Sequence, residues 1–382
     1  MRRLIGPTVL AATLAVVLAA CGSSSGTTKS SGSSGGSTTA SSTGTSSATI
    51  TTGNPTAAVT INEDGSSLLF PYLQVLAPAL HTSYVNITLA PAAGGSGKGI
   101  SDATAGTVQM GGSDAYLSAG QIAQNPGLAY IPIVISAQAV NYNLPGVSNL
   151  KLTGDILAKI YQGTIKTWND PAITAVNPGV NIPPKTIVPV RRVDSSGDTF
   201  IFTSFLTATN TTWANGPAMG TTVTWPAVSN ELTANGNPGM VQTCQSTPGC
   251  IAYVGVSAES SAQSAGLGEA MLQNKSGNFL QPTSDTITAA ASAGATNVPA
   301  NLAQSLIYEP GAQAYPIVNF EYLVVKSTQA DANTGLAIRT FLAWAIDPAG
   351  GATSANLAKE NFVALPTSVV PAVKAAIAKI TP

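Results

Sequence analysis

The chain has 382 residues, with 37 glycines, 25 prolines, only 9% charged side chains and a formal net charge of −1. That balance excludes the basic footprint of a nucleic-acid binder, and without the first twenty residues 14 basic side chains would face 17 acidic ones. One histidine and three cysteines supply too few parts for a zinc centre or a nucleophile–histidine triad, which argues against an enzyme and for no metal or cofactor.

Met1-Arg2-Arg3 precedes an apolar segment over residues 4–20. It is too short for a comfortable membrane span and ends in small residues, the pattern of a secretory signal. It closes as Leu18-Ala19-Ala20-Cys21-Gly22, which resembles the bacterial lipobox. That resemblance implies loss of residues 1–20 and a diacylated Cys21 anchoring the protein to the outer face of the cell membrane. Residues 21–55 are almost entirely Ser, Thr and Gly, cannot bury enough apolar surface to fold, and predict a flexible tether.

The body begins near residue 56 and is long enough for two domains and a large core. Residues 59–62 read as a strand ending in Glu63-Asp64-Gly65-Ser66-Ser67. Leu69, Leu73, Leu76 and Leu80 then recur at helical spacing, and Pro78 is expected to kink or end that helix. Residues 86–90 form a second strand before Gly94-Gly95-Ser96-Gly97-Lys98-Gly99, and residues 108–110 a third before Gly111-Gly112-Ser113-Asp114. Residues 190–206 repeat the arrangement: a strand with Arg191 and Arg192, the turn Asp194-Ser195-Ser196-Gly197, then a helix with Ile201, Phe202, Phe205 and Leu206. The first N–H groups of a helix lack intrahelical partners and carry partial positive charge, so such turns suit an oxyanion; they also suit an ordinary capped surface turn. Four strand ends of this kind in one α/β chain point to a small polar ligand at the carboxyl edge of a sheet.

Two apolar runs, residues 130–140 and 316–325, bracket about half the body and predict two adjacent strands crossing between domains. The expectation is a discontinuous domain I, residues 56–140 plus 316–382, and an inserted domain II, residues 141–315. Within the insert, residues 153–161 predict a helix stopped by Gly163, and Asp170-Pro171 an N-cap followed by proline in the first turn. Trp168, Trp213 and Trp225 are assigned to packing. Cys244 and Cys250, in a C-x5-C loop of an exported chain, predict a local disulfide. Residues 331–345 and 371–380 predict scaffold helices. These features describe an exported two-domain binder of a small polar ligand.

Seven motifs then occur in order: GSSLLFP (65–71), GGSGKGI (94–100), GGSDAYLS (111–118), VNYNLPGV (140–147), YQGTIKTWNDPAI (161–173), RRVDSSGDTFIFTSFL (191–206) and SGNFLQP (276–282). Together they resemble the phosphate-binding protein of the bacterial high-affinity phosphate ABC transporter, in its Gram-positive and mycobacterial lipoprotein form. The resemblance implies a type II periplasmic-binding-protein fold: two α/β domains, two hinge strands and phosphate held in the cleft between them. It also implies, as partners, the membrane permease and ATPase subunits of that transporter, with the binding protein a monomer.

Carried over residue by residue, Ser67 is similar to the first-turn hydroxyl donor, with the Leu68 amide beside it, and Ser96 to the second-turn serine. Asp114 resembles the aspartate that accepts a ligand proton, Arg192 the phosphate-clamping arginine, and Asp194 the carboxylate that holds that arginine. Ser196 and Gly197 match the donors of the third turn. Asp198 stands where Gram-negative relatives have threonine, which keeps an amide and loses a hydroxyl; Ser195 replaces a glycine, which questions the backbone angles of the turn. Two other readings fit the scaffold: a secreted phosphate-ester hydrolase using the same cradle, and a surface adhesin or antigen displayed on the tether.

Overall fold

In the computed structural model, residues 49–296 and 298–382 are described. The signal-like segment, the lipobox Cys21 and the tether up to residue 48 lie outside the described residues. The last residues of the expected tether are held by the body rather than free of it. Gly53 N–H donates to Thr340 Oγ1 at 3.0 Å, the Thr340 hydroxyl donates back to Gly53 O at 3.0 Å, and Pro55 is buried.

Strand β1 (Val59–Gly65) runs three residues past the expected end and carries Glu63 inward, because its buried positions alternate through Ile61, Glu63 and Gly65. Helix α1 (Phe70–Ser83) buries Tyr72, Leu73, Leu76 and Leu80. Pro78 lies inside α1 and does not end it. The proline removes one hydrogen bond, and burial of Leu76 and Leu80 on either side of it outweighs that loss. Strand β2 (Ile87–Ala92) and, after helix α2 (Ser96–Ala105), strand β3 (Met110–Ser113) both pair in parallel with β1. Helix α3 (Ala119–Gln124), opened by a Ser118 capping box, leads into β4 (Leu128–Tyr142), a strand of 15 residues buried over most of its length.

The middle of the chain follows the expected signals closely. After β5 (Lys151–Leu152), Thr153 Oγ1 caps α4 (Gly154–Tyr161) and Asp170 caps α5 (Pro171–Val176). Strand β6 (Val188–Arg192) leads to α6 (Gly197–Thr209) and the short α7 (Thr211–Ala214). Strand β7 (Leu232–Ala234) leads to α8 (Gly236–Gln245), and β8 (Cys250–Gly255) to α9 (Glu259–Ser264). The disulfide Cys244–Cys250 joins the end of α8 to the start of β8. Trp168 and Trp213 are fully buried, each donating its indole N–H to a backbone carbonyl, and Trp225 stacks on Tyr253.

Strands β9 (Gly268–Glu269), β10 (Met271–Gln273) and β11 (Phe279–Leu280) precede α10 (Ser284–Gly294). Strand β12 (Val318–Lys326) and helices α11 (Ala332–Ala345), α12 (Ser354–Ala358) and α13 (Val370–Ile377) complete the chain.

Among the described residues the main sheet runs β2-β1-β3-β12-β4-β8-β6-β7, with β9 beside β4; β11, β10 and β5 form a small second sheet. The long strand β4 is shared. Its first part, Leu128 to Ala137, pairs antiparallel with β12, and its last part, Gln138 to Tyr142, pairs antiparallel with β8. That register points β1 and β3 toward the middle of β4 from one side, and β6, parallel to β8, toward it from the other. The carboxyl ends of the two strand sets, with the helix starts that follow them, therefore meet in one seam. The described residues form a single compact unit around this arrangement.

Candidate functional site

Four strand-to-helix turns converge on the seam. From the β1–α1 turn comes Ser67, and from the start of α2 comes Ser96, behind Gly95 whose φ of 94° is open only to glycine. From the end of β3 comes Asp114, and from the β6–α6 turn come Arg192, Asp194, Ser196, Gly197 and Asp198. Of these, Ser67, Ser96, Asp114, Arg192, Ser196 and Asp198 are all buried.

The three serines are set to donate. Ser67 Oγ accepts from Asn237 N and Nδ2, both at 3.2 Å; Ser96 Oγ accepts from Asp114 N at 3.2 Å; Ser196 Oγ accepts from Thr199 N at 3.3 Å as the N-cap of α6. With each oxygen already an acceptor, each O–H proton remains for something else. Gly197 brings the halves together, since a Cβ built on it would stand 2.3 Å from Asp114 Oδ2 and 2.4 Å from Ser96 Oγ. Across the same seam Gly97 N–H donates to Ser195 O at 2.9 Å. Ser195 is not among the described residues with positive φ, so serine sits in that turn without the glycine-only conformation its position had suggested. A cavity of about 540 Å³, lined by Gly97, Tyr116, Ser195, Phe200 and Met219 among others, opens at the edge of the seam.

Arg192 is fixed from two directions. Its Nε donates to Asp194 Oδ1 at 2.7 Å and its Nη2 to Asp194 Oδ2, while its Nη1 donates to Asp198 Oδ2 at 2.6 Å. The forked contact with Asp194 is the geometry in which arginine exceeds lysine. Asp198 does more than lose a threonine hydroxyl. Its carboxylate also accepts from Asn237 Nδ2 at 2.9 Å and from Gln138 Nε2 at 3.2 Å. Burial pushes Asp198 up to about 7, against the pull of Arg192. Leu68 also differs from expectation: its amide donates to Ser66 Oγ at 3.0 Å, because Ser66 Oγ gathers the N–H groups of Leu68 and Leu69 in the turn ahead of α1.

Asp114 carries the most unusual environment. Its Oδ1 is buried without a hydrogen-bond partner, and burial holds the carboxyl well above the usual range. Glu321 beside it pushes the same way, while the Ser66 hydroxyl and Arg192 pull it down. Glu321, Gln138, Asn237 and Ser66 were not singled out from the sequence. Some signal existed: Asn237 lies in the small-residue turn Gly236-Asn237-Pro238-Gly239 after a strand, and Gln138 and Glu321, with Ser136 and Asn319, are polar exceptions in two apolar runs.

Residues 31–349 match the family model of a PBP superfamily domain. The phosphate-binding protein PstS of Methanocaldococcus jannaschii is 36% identical over 62% of this chain and 64% of its own length. That of Pasteurella multocida is 32% identical over 74% of this chain and 79% of its own. The phosphate-binding protein PstS3 of Mycobacterium bovis is 31% identical over 92% of each chain. Among solved structures, a high-affinity periplasmic phosphate-binding protein with bound phosphate shares 23% identity over 84% of this chain and 93% of its own, at a TM-score of 0.65. A phosphate-binding protein from Stenotrophomonas maltophilia shares 21% over 84% and 93%, at 0.61. These structural matches establish the type II periplasmic-binding fold.

Proposed function

The chain belongs to the phosphate-binding proteins of the PBP superfamily, and from that premise we propose that it captures inorganic phosphate for an ABC-type transporter. The anion sits where Ser67, Ser96, Ser196, the first amides of α6, Asp114 and Arg192 converge. Asp114 carries the assignment, as a buried carboxyl facing a set of donors. An ionised carboxylate only accepts, so the ligand oxygen opposite it must bring a proton. Mono- and dibasic phosphate both supply one at neutral pH and sulfate does not; sulfate would face a like-charged, unpaired acceptor at a cost on the order of several kcal/mol.

Isothermal titration of the phosphate-stripped protein tests this. One-to-one phosphate binding without a sulfate response is expected, and Asp114→Asn should narrow the preference. A variant that kept the full preference would remove Asp114 from the explanation. Binding of neither anion by folded protein would favour a surface-interaction role.

The lobes are residues 56–140 plus 316–382 and residues 141–315, with β4 and β12 as hinge strands; the pairing of β4 with β12 on one side and β8 on the other supports this division. Closure buries the ion and forms the surface that the permease reads, the ATPase subunits belonging to the same transporter. The protein works as a non-catalytic monomer. Its serine oxygens are held by N–H donors rather than by a base, and the one histidine, His81, bonds to Ile87 O in the first lobe. Turnover of a chromogenic phosphate ester would overturn that reading. Cys21 holds the protein on the outer face of the membrane through its lipid, which mass spectrometry of the membrane-extracted protein checks.

A further inference from the structure

Glu321 lies in the middle of β12, fully buried, where the register between β12 and β4 shifts. Its Oε1 accepts from the Ser136 hydroxyl on β4 and from Asn319 Nδ2 at 2.8 Å. Its Oε2 is buried with no partner. On the other side of β12, Tyr322 pairs with Ser113, which sets Asp114 opposite Glu321 in the register, and each carboxyl bears on the titration of the other. Asp114 Oδ1 is likewise buried without a partner. Two ionised carboxylates in contact, out of water, repel strongly, whereas one proton between them satisfies both orphaned oxygens.

We propose that Glu321 is a positioning residue for anion capture: it shares one proton with Asp114, which fixes that carboxyl against β12 and leaves Asp114 Oδ2, beside Ser96 and Gly197, as the acceptor for the ligand. The inference rests on the phosphate reading and adds to it a proton-linked residue one step behind the ligand. Burial raises both carboxyls, in the direction a retained proton requires. The other groups facing the pair are the Ser66 hydroxyl from the β1–α1 turn, Ser136 from β4, Asn319 from β12, and Arg192 and Asp198 from the β6–α6 side. Of these only Arg192 is cationic, and it is engaged by Asp194 and Asp198.

With one proton the pair contributes a single negative charge beside the ligand, and without it two. Rising pH that strips the proton therefore weakens phosphate binding, and binding at such a pH draws the proton back from solution. Linkage of one proton makes affinity fall by up to about tenfold per pH unit. Glu321→Gln removes the titrating partner, while its amide still donates to Asp114.

The test is titration calorimetry of the full chain with inorganic phosphate from pH 6 to 9, in two buffers of different ionisation enthalpy, which counts protons exchanged. Phosphate's own titration is common to both proteins and cancels in their difference. The wild type is expected to take up more protons than E321Q at the alkaline end, and E321Q to show the flatter pH profile. Equal proton counts and parallel profiles, with both proteins binding phosphate, would overturn the shared proton and leave the phosphate reading intact. No phosphate binding by the wild type would instead overturn the phosphate reading itself. If E321Q fails to fold, Ser136→Ala serves. Losing that donor to Glu321 strengthens the pair's hold on its proton and should move the uptake to higher pH; an unmoved profile counts against the proposal.

Discussion

Gly197 is glycine because the space its side chain would take lies between Asp114 Oδ2 and Ser96 Oγ. Gly197→Ala should displace the ligand without unfolding α6, since the residue opens a helix whose other packing is untouched. Losing about two charge-assisted hydrogen bonds predicts at least a hundredfold weaker phosphate binding, on the order of 3 kcal/mol, with the melting temperature little changed. Titration beside a thermal melt separates the two effects, and wild-type affinity in the variant would move the anion site away from Gly197. The same scale shows where residue identity was legible. Ser67, Ser96, Ser196 and Gly197 announce themselves, because small residues at helix starts have a local reason to be there. The destination of the Asp198 carboxylate was not legible: its partners Gln138 and Asn237 lie 60 and 39 residues away.

At the scale of elements, α8 shows how a staple and a site share one helix. Its first turn delivers Asn237, which donates to both Ser67 Oγ and Asp198 Oδ2 while accepting from Gly255 N at 2.9 Å. Its last turn is tied by Cys244 to Cys250 at the head of β8. Closing so short a loop restrains the unfolded chain modestly. Cys244→Ala with Cys250→Ala should lower the unfolding free energy by about 2 kcal/mol, read from urea denaturation. An unchanged midpoint would mean that α8 and β8 are held by packing alone. Helix caps and strand periodicity were readable here because they act within a few residues. That α1 continues past Pro78 was not readable, because the cost of the proline is local while the burial that offsets it is tertiary.

Over the whole molecule the buried acids set the response to pH. Burial pushes Glu63 up to about 8 although Gly112 N–H donates to it, and pushes Asp198 and Glu269 up to about 7. Each folded value lies above the unfolded one near 4, so the folded state binds more protons across that interval. The associated stability is fully present below about pH 4 and is lost as pH rises through 7 to 8. The phosphate-free protein should therefore melt at a lower temperature at pH 8 than at pH 5, and Glu63→Gln should flatten the difference in calorimetry. A melting temperature that rises over that interval would contradict this placement of the acids.

By itself the sequence determined the local grammar: which stretches form strands and helices, that four turns bring small donors to helix starts, and that two cysteines close a short loop. Those features follow from spacing and from backbone groups within a few residues, and the motif order points to the family. Only the tertiary structure decided that the four turns meet in one seam, because the register of β4 against both β12 and β8 turns two strand sets toward each other. It also decided that Asp114 meets Glu321. Contact between residues 207 positions apart depends on strand order, and strand order is a property of the folded sheet that no local spacing encodes.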